Sequence, residues 1–209
     1  MKNYHETRLT YDGRRQVLWK TLCGHYFQRL IKPDDCVLEL GAGYGDFINN
    51  IRCRRRIAMD LWPGMLEHLQ PGVEGHVGPA TDLAAIQDSS VNFVFASNLF
   101  EHLPQSEFAK TLTALRTKMK TGATLNILQP NYRFAYREYF DDYTHVSVYS
   151  DRSLADFLEV NEFRVTEVHP RFLPLTIKSR LPVSSTIIRL YLALPFKPFG
   201  KQMLIRAAR

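Results

Sequence analysis

Acid is nearly missing from the end of this chain, and cysteine is scarce throughout. Between Arg164 and Arg209 nine Lys or Arg stand against a single carboxylate, Glu167, so that segment carries +8 and the rest sums to −2 of the overall +6. Charge placed in this way suits a basic face near anionic partners, whether lipid, nucleic acid or an acidic substrate; the plain alternative is an ordinary solvated surface. Only three cysteines occur, Cys23, Cys36 and Cys53, with no CxxC pair, so they read as reduced structural thiols and no metal site is expected. The opening stretch MKNYHETRLTYDGRR lacks an apolar signal core, and no window reaches the roughly 18 uninterrupted apolar residues that span a bilayer. A cytoplasmic location is the expectation. Repeats and low-complexity tracts are also lacking, and 209 residues are enough for one domain, 1–209, with a core of its own.

What is present alternates. Residues 14–31 place Leu18, Leu22, Tyr26 and Leu30 four apart, which predicts an N-terminal helix ending before Pro33. CVLEL reads as a buried strand, GDFINNIR as the start of a helix, RRIAMD as a second strand, and PGMLEHLQ as a short helix behind Pro63. VEGHVG and VNFVFASN follow as strands. Phe108, Leu112, Leu115 and Met119 mark a helix over 105–120, with Gly122 suited to its C-terminus. ATLNILQP is the next strand, DRSLADFLEVNEF a helix capped by Asn161, and RVTEVHPRFL and KQMLIRAAR the last two strands. Strands alternating with helices predict an α/β, doubly wound, mostly parallel sheet with helices on both faces.

The stretch CVLELGAGYGDFIN carries glycines at 41, 43 and 45. A dinucleotide fingerprint, GxGxxG, would need its third glycine at position 46, where this chain has Asp46, although Asp60 could serve as the ribose acid. Glu39 speaks further. A pyrophosphate at the turn would meet this carboxylate, and like charges about 4 Å apart cost on the order of 4 kcal/mol at an effective dielectric near 20. S-adenosylmethionine reverses the sign, because its ammonium and sulfonium are cations. The alternative for Glu39 is a bond to the backbone of the loop.

In order along 36–131, VLELGAGYGDF, AMD ending at Asp60, ATDLAAIQDSSVNFVFASNLFEHLP and TGATLNILQPN resemble the successive cofactor motifs of class I S-adenosylmethionine-dependent methyltransferases. YTHVSVYSDRSLADFLEVNEF extends the likeness toward the broad small-molecule branch. The resemblance implies a seven-stranded sheet with an antiparallel last strand. It implies S-adenosylmethionine as cofactor and S-adenosylhomocysteine as product. By position, Gly41, Ala42 and Gly43 would let the backbone approach the methionine portion, near Glu39. Asp60 would accept from both ribose hydroxyls, Leu61 would pack on the adenine, Asp82 and Leu83 would meet its amino group and a ring nitrogen, and Asn98 would lie against the methionyl end. Asp82 could instead cap a helix starting at Leu83. Asn92 departs from the acid that relatives carry there, which bears on stability.

Methyl transfer is an in-line displacement, so alignment supplies most of the catalysis, and a base is needed only for a hydroxyl or protonated nitrogen acceptor. His102, in SNLFEHLP, and His145, in the aromatic loop 132–150, are the candidate catalytic residues; a positional role is the alternative for each. SNLF replaces the Asn-Pro-Pro-Tyr-like motif of amino-methylating relatives, which weighs against DNA adenine and glutamine as acceptors; no DNA partner is expected, while RNA stays open. Residues 174–199 form a basic, apolar insertion in which 184–194 is a Ser-capped apolar segment with Arg180, Arg189, Lys197 and Lys201 around it. That suits peripheral contact with the inner face of a membrane or a lipid-linked substrate, or else packing on the domain or in a homodimer. The expected acceptor is an oxygen or nitrogen of a small molecule or glycan, including a lipid-linked one of the cell envelope. An RNA or protein acceptor, or a non-catalytic module that binds the cofactor, is the alternative.

Overall fold

All five residues of the apolar run Cys36–Leu40 are buried, and this run is β1, near the middle of a seven-stranded sheet. The computed structural model describes residues 13–174 and 184–209. The further strands are β2 (Arg55–Asp60), β3 (Val73–Val77), β4 (Val91–Ser97), β5 (Met119–Pro130), β6 (Arg164–Pro174) and β7 (Gly200–Ala208). Their spatial order is β3-β2-β1-β4-β5-β7-β6. The first five pair in parallel, and β7 runs antiparallel to both β5 and β6, as the resemblance implied. Strand order reverses between β1 and β4, and a parallel sheet binds ligands in the crevice at the C-terminal ends of its strands, at such a point.

Successive strand residues face opposite sides, and each side has its own helices. The helices are α1 (Gly13–His25), α2 (Gln105–Lys118), the single turn α3 (Tyr132–Ala135), α4 (Asp151–Val160) and α5 (Ser185–Ala193). Leu38, Val94 and Ile127 pack with Phe108 and Leu112 of α2 and Leu154 and Leu158 of α4. Val37, Phe93 and Phe95 pack on the other side with Trp19 and Leu22 of α1, and with Phe27 and Phe47. Here Phe47 stacks on Phe95 with ring centres 4.0 Å apart. Ser150 and Ser153 form a reciprocal cap at the start of α4, worth about 1 kcal/mol.

Four local expectations change. GDFINNIR does not form an α-helix; it is a turn ending in one 3-10 turn, Ile48–Asn50. Asn50 Nδ2 donates to the Asp46 carbonyl and Asn49 Nδ2 to that of His68, so both side chains compete with a helical backbone. Pro63–His68 is a 3-10 segment as well. No helix starts at Leu83: Asp82 accepts from Ala84 N–H at 3.1 Å and closes a turn instead. The chain passes from Lys118 straight into β5, so Gly122, at φ +77°, serves an irregularity within that strand rather than a helix end. Asn92 does the work expected of an acid at the start of β4, accepting from Cys36 N–H at 3.0 Å and from Lys120 Nζ at 3.1 Å.

Ser184 caps α5, which packs against α1 and buries Ile188. Tyr191 and Leu192 pack partly on the same core, while Ile187 and Leu190 stay out, Leu190 at 64% exposure, and Phe196 beyond the helix at 85%. Part of the surrounding charge is already used. Lys197 Nζ donates to the carbonyls of Leu192 and Leu194 at the helix end, and Lys201 pairs with Glu138. Arg180 lies outside the described residues.

Candidate active site

The glycine turn sits between the C-terminal ends of β1 and β2. Gly41, Gly43 and Gly45 have φ of +66°, +52° and +68°, a region that costs other residues roughly 1–2 kcal/mol. Gly41 and Ala42 donate to the Met59 carbonyl at 2.8 and 3.1 Å, which ties the turn to β2. A side chain at Gly41 would press on Leu99, whereas one at Gly43 would meet nothing within 4 Å. Backbone is therefore open to a ligand at Gly43. Asp60 closes the arrangement: its Oδ2 accepts from Gly43 N–H and its Oδ1 from Trp62 N–H, both at 2.8 Å. A carboxylate has about four acceptor positions, so half its capacity remains for hydroxyl donors.

Glu39 lies inside the turn. Its carboxylate is buried and accepts from Ile48 N–H at 2.9 Å, the loop-holding alternative weighed from sequence. Burial pushes this carboxyl well above its ordinary range, the Ile48 bond opposes the rise, and Asp46 and Asp60 add to it. Leu61 is 67% exposed beside the crevice, Asp82 is exposed on its turn, and Leu83 is buried in the core. Asn98, at φ +49°, follows β4; its Oδ1 accepts from Gln202 Nε2 at 3.0 Å. Sequence reading missed the aromatic corner beside Asp60, where Tyr44, Trp62 and His68 pack with ring centres 4.7 to 5.6 Å apart. Gly64 makes room for it, since a Cβ there would stand 2.3 Å from the Trp62 ring.

A second group of side chains stands past the end of β4. His102 and His145 are half-buried with ring centres 4.8 Å apart, so the two candidates from distant segments do meet. The Asp142 carboxylate accepts from the Thr144 hydroxyl at 2.6 Å, which commits that hydrogen; Thr144 Oγ1 then accepts from His102 Nδ1–H at 2.9 Å. His145 Nδ1 lies 2.5 Å from the Tyr139 carbonyl and must donate to it. Both bonds select the tautomer whose lone pair is on Nε2. Burial, then His145, holds His102 below its ordinary range. Burial raises Asp142, but its bonds from Thr144 outweigh that and leave it lowered.

Glu101 adjoins this pair and is fully buried, with neither carboxylate oxygen hydrogen-bonded among the described residues. Burial pushes it up to about 8; its own backbone amide opposes the rise, and Asp142 adds to it. The loop is pinned here: Val146 and Ser147 N–H both donate to the Glu101 carbonyl, Ser147 Oγ to that of Leu103, and Tyr139 OH to that of Ser147. Sequence reading placed Glu101 beside His102 without giving it a role, and it missed Thr144.

A glycine backbone open after β1, two imidazoles meeting past the end of β4, and the strand order β3-β2-β1-β4-β5-β7-β6 together match the fold of a methyltransferase. The methyltransferase-domain family matches residues 11–168, and the chain belongs to that family. Among curated proteins no sequence matches it. Solved structures share its fold. An S-adenosylmethionine-dependent methyltransferase from Archaeoglobus fulgidus is 22% identical, with a TM-score of 0.68 over 93% of this chain and 94% of its own. The methyltransferase seen with the Trm112 activator of Haloferax volcanii is 16% identical, with a TM-score of 0.70 over 94% and 91%. A geranyl diphosphate C-methyltransferase from Streptomyces coelicolor A3(2) is 14% identical, with a TM-score of 0.62 over 91% and 76%. Family and fold together support S-adenosylmethionine as the cofactor.

Proposed function

We propose that the protein moves a methyl group from S-adenosylmethionine to an oxygen or nitrogen of a small-molecule or glycan-like acceptor. The observation that carries this reading is a shared edge: the Gly43–Asp60 corner follows β1 and the His102 segment of the His102–His145 pair follows β4, two paired strands, at the C-terminal edge of the sheet. The bound cofactor supplies a methyl carbon on a sulfonium, open to in-line displacement. The residues of this chain hold and align. Gly41, Ala42 and Gly43 offer backbone, and Asp60 takes the ribose hydroxyls. Asp82, Leu83 and Leu61 surround the adenine, and Asn98 meets the methionyl end. Glu39 acts one step back, by keeping the turn closed through Ile48.

On the acceptor side, His102 and His145 present Nε2 lone pairs, and the lowered range of His102 keeps it neutral near pH 7, able to accept a proton from a hydroxyl or ammonium. Asp142 and Thr144 are positioning residues for His102. The exposed apolar side chains Ile187, Leu190, Leu194 and Phe196 favour an acceptor carried at a lipid surface, with the protein resting on the inner face of a membrane. No helix among the described residues is long and apolar enough to cross one.

The test is a transfer screen with S-adenosylmethionine labelled in its methyl group, added with the protein to a cell extract. Label in the small-molecule or lipid fraction is the expected result. Label confined to RNA or protein would replace the acceptor class, and no transfer despite cofactor binding would favour a non-catalytic module.

A further inference from the structure

Glu101 has a cost that the fold does not offset. A fully buried carboxyl with no hydrogen-bond partner from another residue loses its hydration and gains little in return, and such groups persist where a ligand satisfies them. Its immediate neighbours are metal-ligating in kind. One oxygen of Glu101 and one nitrogen each of His102 and His145 lie within 4.8 Å of one another. Ligand atoms about 2.1 Å from a tetrahedral ion stand about 3.4 Å apart, so side-chain shifts totalling at most about 1.4 Å between any two of them close the set.

We propose that Glu101, His102 and His145 bind a divalent transition-metal ion, zinc, iron(II) or cobalt(II), on the acceptor side of the crevice. Two imidazoles with one carboxylate suit these ions, whereas magnesium and calcium prefer all-oxygen shells. The outer contacts are those that metal-binding histidines need. His145 Nδ1–H is held by the Tyr139 carbonyl, and His102 Nδ1–H by Thr144, which is itself anchored on Asp142. Each bond fixes its ring and directs the Nε2 lone pair to ligation. The site is also built in advance: the bonds from Val146 and Ser147 to the Glu101 carbonyl lock the His145 loop against the His102 segment. Glu101 is buried while both histidines are half-buried, so the ion would keep its outer positions toward the crevice, where an acceptor oxygen could bind. Only this use of the ion rests on the methyltransferase reading; its binding does not.

The test uses the full chain, stripped with a chelator and titrated with Zn²⁺ in a calorimeter and with Co²⁺ by visible absorption. One ion per chain is expected. Glu101→Gln and His145→Ala should each weaken Zn²⁺ binding at least tenfold, and the positioning variant Thr144→Val about tenfold. His169→Ala, at a surface pair with Glu167, should change nothing. Glu101→Gln keeps the shape of the side chain without its ionisable carboxyl and should fold as the parent does, which far-UV circular dichroism checks. Failure to bind one ion, or binding indifferent to Glu101→Gln, His145→Ala and Thr144→Val alike, overturns the site. S-adenosylhomocysteine titrated into the stripped protein separates the two readings: intact binding with no metal bound sinks only the ion, whereas saturable metal without S-adenosylhomocysteine binding sinks only the methyltransferase.

Discussion

The two sides of the crevice are built by different means. The corner proposed for the methyl donor is made of backbone: three glycines at positive φ, two amides on the Met59 carbonyl, and Asp60 clamping Gly43 and Trp62. The side proposed for the acceptor is made of side chains, joined by a loop that brings His145 back to His102 across 43 positions of sequence. A backbone-built site reads one ligand and tolerates little change. A side-chain site on a pinned loop can be altered without moving the sheet. Damage to the first should therefore abolish donor binding, and damage to the second should leave it intact.

The strongest break in that contrast is expected at Gly43. Gly43→Val combines about 1–2 kcal/mol of left-handed backbone strain with a side chain filling the open face. Affinity for S-adenosylhomocysteine should fall by about a hundredfold or more in calorimetry. Thr144→Val sharpens the other half: it removes the hydrogen bond that orients His102, so the rate of methyl transfer should drop about tenfold with S-adenosylhomocysteine affinity unchanged.

Glu39 tests how the donor corner is held. Its folded-state pKa is raised, so the native protein binds a proton that the unfolded chain releases near pH 4.3. Its contribution to stability is complete below that pH and is lost as pH rises through the folded value. Glu39→Gln keeps an acceptor for Ile48 N–H and removes the titration. Its urea midpoint should vary less with pH above about 4.3 than that of the parent. The smallest effect concerns the tail. Leu190→Ser with Phe196→Ser should reduce sedimentation with vesicles of anionic lipid while donor binding and circular dichroism stay as before.

The same contrast explains what could be read from sequence. The central strands β1 and β4 were legible because each is a short apolar run, and the donor corner because Glu39, the glycines and Asp60 fall within 22 consecutive residues. The missing helix after β1 was not. Phe47, Ile48 and Ile51 have helical spacing, but Glu39 takes the Ile48 amide, and Asn49 and Asn50 turn their side chains onto backbone. The acceptor side was half legible: both histidines stood out as residue types, yet nothing in the order of residues says that Thr144 would orient His102 or that Glu101 would be buried between them. CxxC-like spacing is the usual sign of a metal site in sequence, and ligands drawn from two distant loops leave no such sign.

The central claim is that donor binding and acceptor chemistry are separate, and the most direct test is one calorimetric comparison of S-adenosylhomocysteine binding to Asp60→Ala and His145→Ala. Asp60→Ala leaves the Gly43 and Trp62 amides without their acceptor and removes the ribose contacts, so about 1–3 kcal/mol of binding should disappear. His145→Ala should bind as the parent does. Unchanged affinity in Asp60→Ala together with a loss in His145→Ala would contradict the account.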